Sequence, residues 1–250
     1  MIEILPTSNT KPLTEAEALE ALAVQYKAAV GPGMALLGRL GERADGLVDQ
    51  LPKGLQDGLF AGTERALAVA LRAADLSQRV LPGQDARLTR VVAMAMGAAG
   101  GVGGVGTALT ELPLTTTLFL RSIQSAAGQQ GFDPKADSVR FDCVRIFASN
   151  GPLAAGESDL AFLATRMALT GPTLQALATK VAPRLAVVFG KKIAAQALPI
   201  MGAAAGASIN GVYANYYHNM SLVHFGLRRL AIETDTPVEI LTVRLQDRLA

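Results

Sequence analysis

Tryptophan is absent from this 250-residue chain, cysteine occurs once, histidine twice, and aromatic residues make up only 5%. A single cysteine, Cys143, excludes a disulfide framework and a multi-cysteine metal site, and points to a reducing, cytoplasmic compartment. Two histidines without carboxylates at ligand spacing argue against a metal centre. Charge is also sparse: 18% of residues are charged and the formal net charge is +2. The basic residues are scattered, so no stripe of the kind that binds nucleic acid is formed. There is no low-complexity linker, no short-period repeat and no run of strand alternation. The first residues, MIEILPTSNTKPLT, lack the basic and apolar regions of a secretory signal.

What is plentiful is small and aliphatic. Half of the residues are hydrophobic, supplied mainly by Ala, Leu and Val, with 25 glycines beside them. This composition suits closely packed helices. The expected fold is all-α: one domain of eight to eleven helices around a Gly/Ala-rich central helix pair.

Local signals mark the helices. Thr14 and Glu17 form a capping-box pattern, followed by Leu19, Leu22, Ala23 and Tyr26 at helical spacing. Gly31-Pro32-Gly33 ends that helix. Pro52 starts the next, whose buried stripe is read as Leu55, Leu59, Gly62, Ala66, Val69 and Leu76. A third helix from about Gln84 runs into a glycine-rich stretch, and Pro113 is expected to stop or kink it. Another begins there and closes near Gly128 to Gly131. Val139, Cys143, Ile146 and Phe147 share one apolar stripe of a short helix, which makes Cys143 a buried structural thiol. A short helix is expected after Pro237.

Two segments carry no charge: Val91 to Thr110, and Ile193 to Tyr217. Both reach the length of a membrane span, but their many Gly, Ala, Ser, Thr and Asn residues reduce the gain on entering lipid. The first contains Gly101, Gly103 and Gly106 in a G-x-G-x-x-G pattern. A dinucleotide site would need a preceding strand and an acidic residue about twenty positions on. VVAMAM before the glycines could pass as a strand, but after Glu111 the next acids are Asp133 and Asp137, beyond a whole helix, and no βαβ alternation surrounds them, so no nucleotide and no cofactor is expected. The glycines have another use. Gly97 and Gly101, Gly100 and Gly104, and Gly202 and Gly206 are each four apart, which leaves a groove on one helix face where a second backbone can approach. Each glycine costs about 1 kcal/mol of helix propensity, so the pattern speaks for close packing. The close-packing candidates are Gly97, Gly101, Gly104, Gly202 and Gly206.

Polar residues flank these runs. Asn210, Tyr217 and His224 are seven apart on one helix, and Ser221 and Arg228 extend that face. Glu111, Thr115, Thr116, Thr117 and Arg121 border the other run. A catalytic reading gathers Glu111, Thr116, Arg121, Asn210 and His224 into one pocket with His224 as proton carrier. The plainer reading is a buried hydrogen-bond network, with Glu111 paired to Arg121 or Arg228.

Several ordered stretches together resemble one family: LPKGLQDGL, GGVGGVGTALTELPLTTTLFLRSI, GFDPKADSVRFDCVRIFAS and AAQALPIMGAAAGASINGVYANYYHNMSLVHFGLRRLA. They resemble the EcsC family, over roughly residues 45–232, with 1–44 as an N-terminal helical extension and 233–250 as a C-terminal helix. The shared residues fall on Glu111, Leu112, Pro113, Thr115, Thr116, Arg121, Gly202, Gly206, Asn210, His224 and Phe225. One departure lies after the Cys143 helix, where SNGPLAAGESD has the single Gly151 in place of a glycine pair. The family is named for a bacterial protein encoded beside an ABC transporter, and the resemblance carries over no catalytic residue. It implies a non-catalytic cytoplasmic protein, peripheral at the inner face of the membrane. The expected partner is membrane lipid or a membrane protein such as a transporter. Two alternatives stand beside it: a hydrolase using Glu111, Thr116 and His224, and an integral membrane protein with a glycine-rich helical hairpin.

Overall fold

The capping box at Thr14 forms as its residues dictate. The Glu17 amide donates to Thr14 Oγ1 at 3.3 Å, and the Thr14 amide donates to Glu17 Oε2 at 2.8 Å. It opens α1, Glu15–Ala29, which buries Leu19, Leu22 and Ala23. The computed structural model describes residues 13–37, 39, 53–80, 85–102, 104–148, 181–182, 185–186, 190 and 202–249. Six more helices of this length class follow among them: α2, Lys53–Val80; α3, Ala86–Val102; α4, Gly104–Gln129; α5, Asp137–Phe147; α6, Gly202–Thr234; and α7, Val238–Leu249. A short helical piece covers 32–37. The fold is all-α, with no strand among the described residues. Residues 149–180 lie outside the described ones.

Two expectations change. The helix described as far as Val102 and the one described from Gly104 flank the glycine-rich stretch, and α4 runs through Pro113. Proline forfeits only one backbone donor, and α4 absorbs that loss. The buried stripe of α2 is also rotated from the one read in the sequence. Thr63, Ala66, Leu67, Ala70, Leu71 and Ala74 face inward, while Val69 and Leu76 are exposed. Alanines on the inner face let α2 lie close to α4, against which it packs. The side chains of Leu55 and Leu59 and the surroundings of Gly62 lie outside the described residues.

The end of α4 shows how the chain turns. The Phe132 amide donates to the Ala127 carbonyl and the Gly131 amide to the Gly128 carbonyl, both at 3.0 Å. Gly131 takes the left-handed conformation this arrangement requires, with φ 85°. Phe132, buried after the turn, packs on Phe225 with ring centroids 5.6 Å apart.

The organising element is α6, whose 33 residues extend roughly 50 Å. Helices α1, α3, α4, α5 and α7 all pack on it. The approach of α3 is backbone against backbone. A Cβ built at Gly97 would overlap the Gly206 carbonyl oxygen and stand 2.6 Å from its carbon and 2.8 Å from Asn210 Nδ2. Further along the same pair, Met94 Cγ lies 2.9 Å from where Gly211 would carry a Cβ. The register 97 to 206 and 94 to 211 is antiparallel. Toward the end of α6, Leu22 of α1 fills the space a side chain at Gly226 would need. Among the described residues no helix is long and apolar enough to cross a membrane. Part of the second uncharged run, 193–201, lies outside them.

Gly97→Ala forces two backbones apart, because no flexible side chain is there to yield, and should cost about 3 kcal/mol of stability or more. Gly54, also helical, has nothing within 4 Å of its absent Cβ. Gly54→Ala should be neutral or stabilise by up to about 1 kcal/mol. Urea unfolding of the two variants checks both. Equal effects would mean that the crossing does not constrain the fold.

Candidate functional site

The scarce aromatic residues gather where α4, α5 and α6 meet. Phe119 of α4 stacks on Tyr213 at 6.1 Å and lies 5.3 Å from Tyr217; Phe147 of α5 lies 5.2 Å from Tyr217. The Tyr217 hydroxyl donates to the Phe147 carbonyl at 3.1 Å, and so caps the end of α5. Tyr213 is fully buried, and burial, reinforced by Tyr217, pushes its phenol well above the usual tyrosine range. Its hydroxyl finds no hydrogen-bond partner among the described residues.

Further along α6 the same face turns ionic. Arg228 Nη1 donates to Asp142 Oδ2 at 2.7 Å, and its Nη2 to Ser138 Oγ at 3.3 Å. His224 Nε2 lies 3.2 Å from Asp142 Oδ2, an attractive distance though not aligned as a hydrogen bond. Arg145 reaches the other oxygen at 3.6 Å. The Arg228 guanidinium also lies 4.9 Å from the centre of the Phe132 ring. Burial acts to raise the Asp142 pKa, but His224, Arg228 and Arg145 together outweigh it and hold the carboxyl below the ordinary aspartate range. Positions 138, 142 and 147 of α5 thus meet 228, 224 and 217 of α6 as an antiparallel clasp.

This geometry divides the residues that the sequence places in one pocket. Asn210 and His224 are fourteen positions apart on one helix, about 21 Å along its axis. Asn210 is buried beside Gly97. Thr116 is buried with a hydroxyl that has no hydrogen-bond partner among the described residues, so it makes no direct hydrogen bond to His224. Its neighbours bond to their own helix: Thr115 Oγ1 donates to the Leu112 carbonyl and Thr117 Oγ1 to the Pro113 carbonyl. Arg121 is part-buried on α4. Glu111 is helical, but its side chain lies outside the described residues. Arg228, for which Glu111 was one expected partner, is held by Asp142. Asp142 was missed because its neighbours in sequence are apolar or cationic; the signal was Ser138, Asp142 and Arg145 at i, i+4 and i+7 on one face. Of the close-packing glycines, Gly97 and Gly206 meet. Gly101, Gly104 and Gly202 are helical, and their surroundings lie outside the described residues.

A second polar group lines a cleft of about 480 Å³ between α1, the 32–37 piece, α3 and α6. Asn215 is its fixed point. Its Nδ2 donates to the Ala28 carbonyl at 2.7 Å, while its Oδ1 accepts from Arg90 Nη2 at 2.7 Å and from Asn219 Nδ2 at 3.1 Å. One turn along, His218 is half-buried. Burial first, and the Arg90 charge second, lower its pKa from 6.5 against a smaller opposing effect of Asp85. Sequence reading passed over Arg90 and Asn215 because they lie 125 positions apart and acquire meaning only when α3 and α6 are paired.

These features define an all-helical protein built on one long helix with a polar clasp on one side and a cleft on another. The chain belongs to the EcsC protein family, whose model matches residues 64–230, from within α2 to near the end of α6. No curated protein and no solved structure matches the chain.

Tyr217→Phe should cost about 1–3 kcal/mol by removing the hydroxyl's hydrogen bond to the Phe147 carbonyl, whereas Tyr213→Phe should be neutral or stabilising. Thermal melts of the two variants test the contrast, and a larger loss in Tyr213→Phe would refute it. Acid should act in two steps. Because folding lowers the His218 pKa, the unfolded chain binds the proton first, and stability falls as pH drops below about 6.5. Asp142, also lowered by folding, loses its contribution only below about pH 4. Unfolding free energies against pH should lose the upper step in His218→Gln and the lower one in Asp142→Asn. The latter should also cost about 3 kcal/mol near neutrality.

Proposed function

We propose that this EcsC-family protein is non-catalytic and acts at the inner face of a membrane, as a cytoplasmic, peripheral protein partnered by lipid or by a membrane protein such as a transporter. The observation that carries this reading is the outer face of α3. Leu88, Val91 and Val92 are 58%, 63% and 37% exposed, and Ala95 and Ala99 continue the row outward. Their spacing of three and four places them on one side of the helix. Arg87 and Arg90, both exposed, border it. An apolar row edged by cations suits a helix that rests its apolar side in the acyl boundary and meets anionic headgroups with its arginines.

Release of the Gly/Ala helix pair into lipid would be another route to the membrane. The Gly97 crossing argues for the simpler device. Parting two backbones in direct contact gives up their packing, whereas the outer face of α3 is already available and burying it gains free energy at roughly 25 cal/mol per Å². Membrane contact therefore needs no opening of the core.

Flotation with lipid vesicles tests this. The protein should rise with phosphatidylcholine vesicles containing phosphatidylglycerol, more at low salt than at high salt because exposed charges are screened. Leu88→Glu with Val91→Glu should leave it at the bottom of the gradient with its melting temperature little changed. A protein that floats with no vesicle composition defeats the lipid reading. Flotation indifferent to the two substitutions removes α3 from it.

A further inference from the structure

The cleft between α1, the 32–37 piece, α3 and α6 has the composition of a small-molecule site. Its volume of 480 Å³ lies within the roughly 300–1,000 Å³ of such sites. Among the described residues its lining is Ala28, Ala29, Met34, Met94 and Val212, with three glycines and Pro32, and polar side chains only from Arg90, Ser208 and Asn215. Among the described residues Arg90 is the sole charged one of that lining, and no carboxylate shares it.

The guanidinium is fixed without being neutralised. It is held through Nη2 by the amide oxygen of Asn215, and that amide is itself anchored by the Ala28 carbonyl and Asn219. A neutral partner positions a cation while leaving its charge and remaining donors for something else. Its charge also reaches His218 on α6, where it adds to burial in lowering the imidazole pKa. Ser208 does not compete for the same position, because its hydroxyl donates to the Ala204 carbonyl at 2.8 Å.

The apolar walls are shaped by close packing. Val212 Cγ2 stands 2.8 Å from where Gly33 would carry a Cβ, and Met94 is pressed on Gly211 in the same way. Two methionines among the walls supply unbranched, adaptable surface that fits a flexible chain better than a rigid ring. A fixed cation at one edge of such a lining selects against purely hydrophilic anions, which gain nothing from the walls, and against neutral or cationic amphiphiles, which gain nothing from Arg90.

We propose that this cleft binds an anionic amphiphile, with its phosphate or carboxylate on Arg90 and its hydrocarbon chain along Met34, Met94 and Val212. The headgroup belongs either to a membrane phospholipid or to a free single-chain amphiphile. The proposal deepens the membrane reading above, since Arg90 and Met94 lie beside the exposed row of α3, but it stands on the cleft alone.

Calorimetric titration of the full chain with dodecyl phosphate, below its micelle concentration, tests it. The protein should bind this probe, and should show no measurable binding to inorganic phosphate or dodecyltrimethylammonium. Arg90→Gln should weaken binding about tenfold or more, the loss expected for a charge-assisted contact. Arg87→Gln, outside the cleft, should change it little. Met94→Glu supplies a second variant at a partly exposed site, placing a carboxylate in the lining, and should abolish binding while the helical circular dichroism is retained. Equal affinity in Arg90→Gln, or equal affinity for the cationic amphiphile, overturns the proposal. Binding of dodecyl phosphate without vesicle flotation supports the cleft with a free ligand and defeats the membrane reading. Vesicle flotation without dodecyl phosphate binding does the reverse.

Discussion

Backbone meets backbone at Gly97 and Gly206, and most of what surrounds α6 follows from that crossing. With no side chain between them, α3 and α6 approach closely enough to fix a register. Counting back along α3 and forward along α6 brings Met94 to Gly211 and Arg90 to Asn215. A larger residue at position 97 would widen the gap and slide that register. The Arg90–Asn215 bond and the cleft beside it are therefore consequences of a missing Cβ nearly two turns away.

The same long helix is used differently along its length. Near its start it receives α3 through glycine. At its middle, tyrosines meet the aromatic rings of α4 and α5. Toward its end, His224 and Arg228 grip Asp142, while Gly226 admits Leu22 of α1. Each contact answers a different requirement: close approach, bulk to fill a junction where three helices diverge, and charge to pin a short helix of eleven residues that has little area of its own. Few aromatics suffice because they are concentrated at that junction.

Much of the helical order was legible in the residues. The capping box at Thr14, the apolar stripe through Cys143 and the turn at Gly131 all depend on neighbours within a few positions, and local chemistry is enough to read them. The stripe of α2 was misread because large apolar residues attract the eye, whereas the inner face there favours alanine. Pro113 was expected to stop or kink its helix because proline is the strongest single breaker, yet it lies inside α4. Two members of the five-residue pocket, Asn210 and His224, are set apart for a geometric reason. A seven-residue spacing shows that side chains share a face, but not that they share a level, and fourteen residues of helix separate Asn210 from His224.

By itself, then, the sequence determined that the chain is helical, where α1 and the Cys143 helix lie, that its glycines favour close approach, and which family it resembles. Only the tertiary structure decided which glycine meets which, that Asp142 is the carboxylate for His224 and Arg228, and that Arg90 stands over an apolar cleft, held by the Asn215 amide. Local signals act through bonds and turns a few residues long. The pairing of distant charges is settled by the register of packed helices, and that register is a property of the whole core.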